Sequence, residues 1–90
     1  MLRLPESLKR YGTTLKLVMR CENKAIYSQY YGDDLVGYEV VKIRILKSRF
    51  VKIFNRIEPE RETYPSTGQW GIYGWTYMTL EKAIERYNQL

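Results

Sequence analysis

Between Lys42 and Arg56 the chain carries six lysines and arginines and no carboxylate, with apolar residues at most of the other positions. Such a segment can pair with phosphates or acidic side chains, and its aromatic neighbours offer planes for stacking. The contact set this predicts is Tyr38, Lys42, Arg44, Lys52, Phe54 and Arg56, with Tyr64 added from the following loop. The competing use of these residues is a solvated sheet face, with aliphatic stems of Lys and Arg lying over the aromatics.

Other chemistries find less support. The chain has no histidine, and Cys21 is predicted to point inward beside Leu17 and Met19 with no base to activate it. Carboxylates group at Asp33-Asp34 and at Glu58, Glu60 and Glu62, but both sets lie in turn-like sequence, where they are expected to stay solvated. Neither set has calcium-loop spacing, and Cys21 has no second soft ligand nearby to share a zinc ion. Gly71-Ile72-Tyr73-Gly74 has the outline of the backbone-clamping loop of KH modules, yet it sits in strand-like sequence rather than between helices. Close packing of a neighbouring backbone or ring beside Trp70 and Trp75 explains the two glycines better. No catalytic residue, cofactor or metal is expected, and the chain reads as a binding protein rather than an enzyme.

Ninety residues with 44% hydrophobic content predict one domain over 1–90 with a folded core. A single cysteine argues for a reducing, cytoplasmic setting rather than a disulfide scaffold. Met1-Leu2-Arg3-Leu4-Pro5 lacks the apolar core of a signal peptide, and no run is long enough to span a bilayer. The net charge of +5 is uneven. Residues 1–56 hold twelve Lys/Arg against five Asp/Glu, whereas residues 57–90 hold three against five, so the positive potential belongs to the first part. Nine tyrosines and two tryptophans exceed what so small a core encloses, which leaves aromatic surface for an interface.

The elements that must position these residues follow from periodicity. Leu4 to Gly12 predicts a short helical turn, with Pro5 at its first position and Leu4, Leu8 and Tyr11 on one side. Leu15, Leu17, Met19 and Cys21 alternate as the inward set of a strand, and a turn at Asn23-Lys24 would pair Cys21 with Ile26 and Leu17 with Tyr30. A second strand covers about Ala25 to Tyr31, and a third opens at Gly37, with Val41, Ile43 and Ile45 inward. A three-residue loop at Lys47-Ser48-Arg49 would set Ile45 against Val51 and Arg44 against Lys52, placing like charges opposite each other. Glu58 to Gly68 reads as an exposed, mobile crossing loop, and Trp70 to Met78 as a strand that is bulky on both faces. Thr79 caps a final helix whose Leu80, Ala83, Ile84, Tyr87 and Leu90 form one stripe. The resulting expectation is an α+β domain, an antiparallel meander of four or five strands with a C-terminal helix packed on one face.

One string of residues also carries a resemblance. Tyr11-Gly12, Ala25-Ile26-Tyr27, Gly37-Tyr38-Glu39-Val40, Tyr64-Pro65-Ser66, Trp70-Gly71 and Trp75-Thr76-Tyr77 ahead of Leu80-Glu81-Lys82-Ala83 resemble small accessory proteins of phages and mobile elements of gut Bacteroidetes. The resemblance spans most of the chain and rests on packing motifs, so it brings no enzymatic residues with it. It implies a stoichiometric binder in an infected bacterial cell that occludes a host protein or nucleoprotein. Direct binding of single-stranded nucleic acid by the same basic-aromatic face is the alternative. The sequence leaves the partner's identity and the oligomeric state open.

Overall fold

The structure is a computed structural model that describes residues 2–90. Met1, the first residue of the stretch read above for a signal peptide, lies outside them. The fold is α+β. Strands β1 (Ser7–Arg10), β2 (Thr13–Cys21), β3 (Lys24–Tyr31), β4 (Asp34–Lys42) and β9 (Gly74–Tyr77) form an antiparallel sheet in the order β1-β2-β3-β4-β9. Between β4 and β9 the chain builds two short antiparallel ladders, β5 (Arg44–Leu46) with β8 (Arg61–Thr63) and β6 (Arg49–Val51) with β7 (Arg56–Glu58). Helix α1 (Leu80–Gln89) closes the chain.

The first hairpin replaces the expected helical turn at residues 4–12. Tyr11 and Gly12 both adopt left-handed backbone angles, φ 49° and 80°, as a two-residue turn between twisted strands requires, and Arg10 then faces Thr13. Leu4 and Leu8 still pack on the core, but Tyr11 is exposed. The next turn falls at Glu22-Asn23, one residue earlier than expected, and pairs Cys21 with Lys24 and Leu17 with Tyr27. A bulge at Val18 explains the rest: Leu15 and Leu17 face one side of the sheet, while Met19 and Cys21 are turned to the other. Cys21 is consequently exposed rather than packed.

Both faces of the sheet are covered, and by different means. On one face Ile26 and Val40 pack against Ala83 and Tyr87 of α1, with Tyr38, Tyr77, Leu80, Ile84 and Leu90 around them. The helical stripe is the one the sequence predicts, and the Thr79 hydroxyl accepts from the Lys82 amide at 3.3 Å. Lys24 reaches the far end of the helix, where its Nζ donates to the Tyr87 carbonyl at 3.1 Å. On the other face Leu15, Ala25, Tyr27, Val41 and Ile43 are covered by irregular chain that contributes Leu4, Tyr64 and Trp70, with Pro65 fully enclosed. The expectation of a single inward Val/Ile side is therefore corrected: Val40 and Val41 are both buried, on opposite faces, and Ile45 is exposed.

The segment from Glu58 to Gly68 is not an exposed crossing loop. Glu58 and Arg61–Thr63 lie in strands, and Tyr64 and Pro65 form the lid over the second face. Strand β9 is an edge strand paired to β4 alone, and α1 lies over it. Gly74 starts that strand directly beneath the Trp70 ring, so close that an added Cβ would sit 2.6 Å from a ring carbon. A Gly74→Ala substitution should therefore displace Trp70 and cost about 1–3 kcal/mol. Denaturant unfolding would check this, and an unchanged midpoint would show that Trp70 is not the tight cover described.

Candidate functional site

The chain leaves the sheet at Lys42 and returns to it at Tyr64 as a twisted antiparallel arm. Its register differs from the one expected at Lys47-Ser48-Arg49. Ile45 pairs with Glu62 and Phe50 with Ile57, so the reversal comes at Lys52–Asn55 and not at residues 47–49. Asn55 takes the left-handed angle there, φ 48°, a conformation that asparagine tolerates well. The physical reason for the longer excursion is charge. The expected loop would oppose Arg44 to Lys52, whereas the observed register sets the basic strand against the acidic one. Arg49 Nε lies 3.3 Å from Glu58, and Lys47 Nζ lies 3.8 Å from Glu60.

The root of the arm is fastened to the body. Arg20 on β2 donates to Glu62 on β8 through Nη1 at 2.8 Å and Nη2 at 2.5 Å, a two-pronged pair. The Glu62 side chain is only 7% exposed and also accepts the Leu4 amide at 2.9 Å. Leu2 runs alongside β8, exchanging backbone hydrogen bonds with Glu60 and Glu62. The Arg20 hydrogen bond, assisted by the Leu4 amide, holds the Glu62 carboxyl at about 2, below its ordinary 4.5. The same contact raises the Arg20 guanidinium. Glu62 is thus a buried structural anion, contrary to the expectation of a solvated one.

The tip is the opposite kind of surface. Phe50, Ile53, Phe54 and Ile57 are 58%, 89%, 64% and 71% exposed, and Arg49, Lys52 and Arg56 are exposed beside them. Arg56 lies over the Phe54 ring at 5.1 Å and approaches Glu58 at 4.0 Å. The structure therefore brings together three of the seven predicted contact residues, Lys52, Phe54 and Arg56. Arg44 sits at the arm's root with its guanidinium 4.7 Å from the Tyr73 ring centroid. The remaining three do not share that surface. Tyr38 packs among the helix-side core residues, Lys42 is half-buried opposite Lys24, and Tyr64 lies under the sheet's other face. The single basic-aromatic wall is thus corrected to a projecting tip, because the bend after Lys42 separates residues that one continuous hairpin would have aligned.

Sequence reasoning missed two acidic residues and Arg20. Glu39 stands mid-strand between half-buried Tyr38 and buried Val40 and accepts the Tyr64 hydroxyl at 2.5 Å. Burial raises its carboxyl, against the lowering effects of Tyr64 and Arg10. Burial, with the Glu39 charge added, also pushes the Tyr64 hydroxyl well up. A charged residue inside Tyr38-Glu39-Val40-Val41 was the available signal. For Glu62 the signal was the acidic run that follows a basic run of matching length. Among the described residues no three His, Cys, Asp or Glu side chains gather as a metal site, and no helix is long and apolar enough to cross a membrane. No protein-family model, curated protein or solved structure matches the chain.

The Glu62 pair has a pH signature. A carboxyl lowered in the folded state adds stability that is complete above about pH 4.5 and is lost as the pH falls toward about 2. Glu62→Gln should remove that part of the acid slope and destabilise the neutral protein by about 3 kcal/mol, since Arg20 is left buried without its partner. Unfolding free energies measured from pH 2 to 7 would check it. A variant with the parent's slope would show that the pair does not anchor the arm.

Proposed function

We propose that the protein is a non-catalytic binding protein that docks its arm tip on an acidic, partly apolar surface of a protein partner and occludes it. The observation that carries this reading is the composition of the tip. Four large apolar side chains stand in solvent on a ribbon whose residues 44–57 include five cations and no carboxylate. Exposed aromatic and aliphatic groups ringed by charge are what interface centres are made of, and scattered surface hydrophobics are not usually so grouped. The positive rim favours an acidic counterpart and speeds encounter with it.

The aliphatic share of the tip separates the two partner classes. Ile53 and Ile57 would gain from burial in a protein pocket but offer nothing to phosphates or bases. The second reading, single-stranded nucleic acid, draws support from the Arg56–Phe54 pair, which couples a stacking plane to a phosphate ligand. The role of an occluding accessory protein in an infected bacterial cell rests on the resemblance to phage and mobile-element proteins.

Affinity purification from host lysate, with and without nuclease, tests the choice. The expected result is a stoichiometric, nuclease-resistant partner that is lost with Ile53→Asp and Phe54→Asp while the thermal midpoint is unchanged. Retention of the partner by both variants, or recovery of none by the parent, would overturn the arm as the docking element. Capture abolished by nuclease, with a mobility shift that weakens steeply with salt and disappears in Lys52→Glu, would replace the protein partner with nucleic acid.

A further inference from the structure

On the sheet face away from α1, a cavity of about 240 Å³ opens between the first hairpin and the Tyr64–Trp70 lid. Its walls include the Tyr64 and Trp70 rings, and its polar lining includes Arg10, Gln29, Glu39 and Thr76. A mostly apolar, concave site with a few convergent polar groups is the usual form of a small-ligand pocket. It lies apart from the arm tip and does not depend on that tip's function.

The hydrogen bonds already made define what is free. Tyr64 occupies Glu39 Oε1, the Trp70 indole N–H occupies the Thr76 hydroxyl oxygen, and Thr13 donates to the Arg10 carbonyl. Among the described residues Glu39 Oε2 receives no protein donor and the Gln29 side-chain amide makes no hydrogen bond, while the Arg10 guanidinium bonds the Tyr11 hydroxyl. The Arg10 guanidinium carbon lies over the Tyr64 ring, 4.7 Å from its centroid.

We propose that this cavity binds a guanine nucleotide. A carboxylate beside aromatic walls suits a planar ring that presents two adjacent N–H donors, and guanine does so through N1–H and the 2-amino group, one reaching Oε2 and the other the second lone pair of Oε1 beside the Tyr64 hydroxyl. The Gln29 amide is free to donate to the ring's acceptor edge. Arg10 then stands at the mouth for the phosphate, where it also disfavours a simple organic cation. Adenine puts a lone pair where guanine puts N1–H, so the same carboxylate repels it. Free nucleotides and an unpaired base within a single strand share this chemistry.

Two-dimensional amide NMR with GMP, AMP, guanosine and a five-nucleotide strand containing one guanine tests it. The expected result is saturable shifts at Gln29, Glu39, Thr76 and the Trp70 indole, with GMP binding about tenfold or more tighter than AMP. Glu39→Gln should abolish that preference, and Arg10→Ala should weaken GMP several-fold while sparing guanosine. Gln29→Ala, at a half-buried position, provides a second variant should Glu39→Gln not fold: it should weaken GMP several-fold, and an unchanged GMP affinity would count against the proposal. Tighter binding of the strand than of GMP would assign the site to a base within nucleic acid, and the reverse order would assign it to the free nucleotide. Absence of saturable shifts, or equal affinity for GMP and AMP, would overturn the proposal.

Discussion

A five-stranded sheet with apolar residues on both faces needs two covers, and among the described residues there is one α-helix, of ten residues. That constraint governs the rest of the molecule. Helix α1 shields Ile26 and Val40, and the opposite face must be closed by chain without regular structure. Tyr64, Pro65 and Trp70 do so, with Tyr64 meeting Tyr27 edge-on at 5.4 Å between ring centroids and stacking on Trp70 at 6.3 Å with the planes inclined by 29°. Aromatic rings suit this task because each buries a large area while fixing few torsions. Their polar ends are satisfied locally: Tyr27 donates to the Pro5 carbonyl at 3.1 Å, and Tyr64 to Glu39.

The lid requirement in turn produces the arm. Once Val41 and Ile43 are buried on one side and Tyr64 must cover them, the intervening residues have no core left to join and fold back on themselves. Opposite charges along the two arm strands make that return favourable, and the Arg20–Glu62 pair ties its root to β2. A buried ion pair of this kind adds little net stability over an apolar substitute, but it discriminates strongly against any register that strands one charge. Its value here is specificity of arrangement. The tip gains freedom to carry residues that would destabilise a core, and the overall extents of 45 × 30 × 22 Å reflect that projection.

How much of this was legible in the sequence depends on the range of the interaction. Helix α1, its Thr79 cap and its stripe were readable because they rest on contacts three and four residues apart. The period-two segments at β2, β3 and β4 were readable as strands, and the α+β class followed from them. The turns were less so: one residue's difference at Glu22-Asn23, together with a bulge at Val18, reverses which side chains face inward and places Cys21 in solvent. The arm was misread because its register is set by Glu58, Glu60 and Glu62, which the turn-like prolines at 59 and 65 disguised as loop. Of the predicted contact residues, Lys52, Phe54 and Arg56 come together because they are neighbours around one turn. Tyr38, Lys42 and Tyr64 separate because long-range packing claims them.

The account stands on the arm being a single long ribbon that reverses at Lys52–Asn55 and not a short hairpin reversing at residues 47–49. Cross-strand nuclear Overhauser contacts in the free protein distinguish the two most directly. Contacts joining Phe50 to Ile57 and Ile45 to Glu62 are the result this structure requires. Contacts joining Ile45 to Val51 and Ile43 to Ile53 would contradict it, and would restore a continuous basic wall in place of the projecting tip.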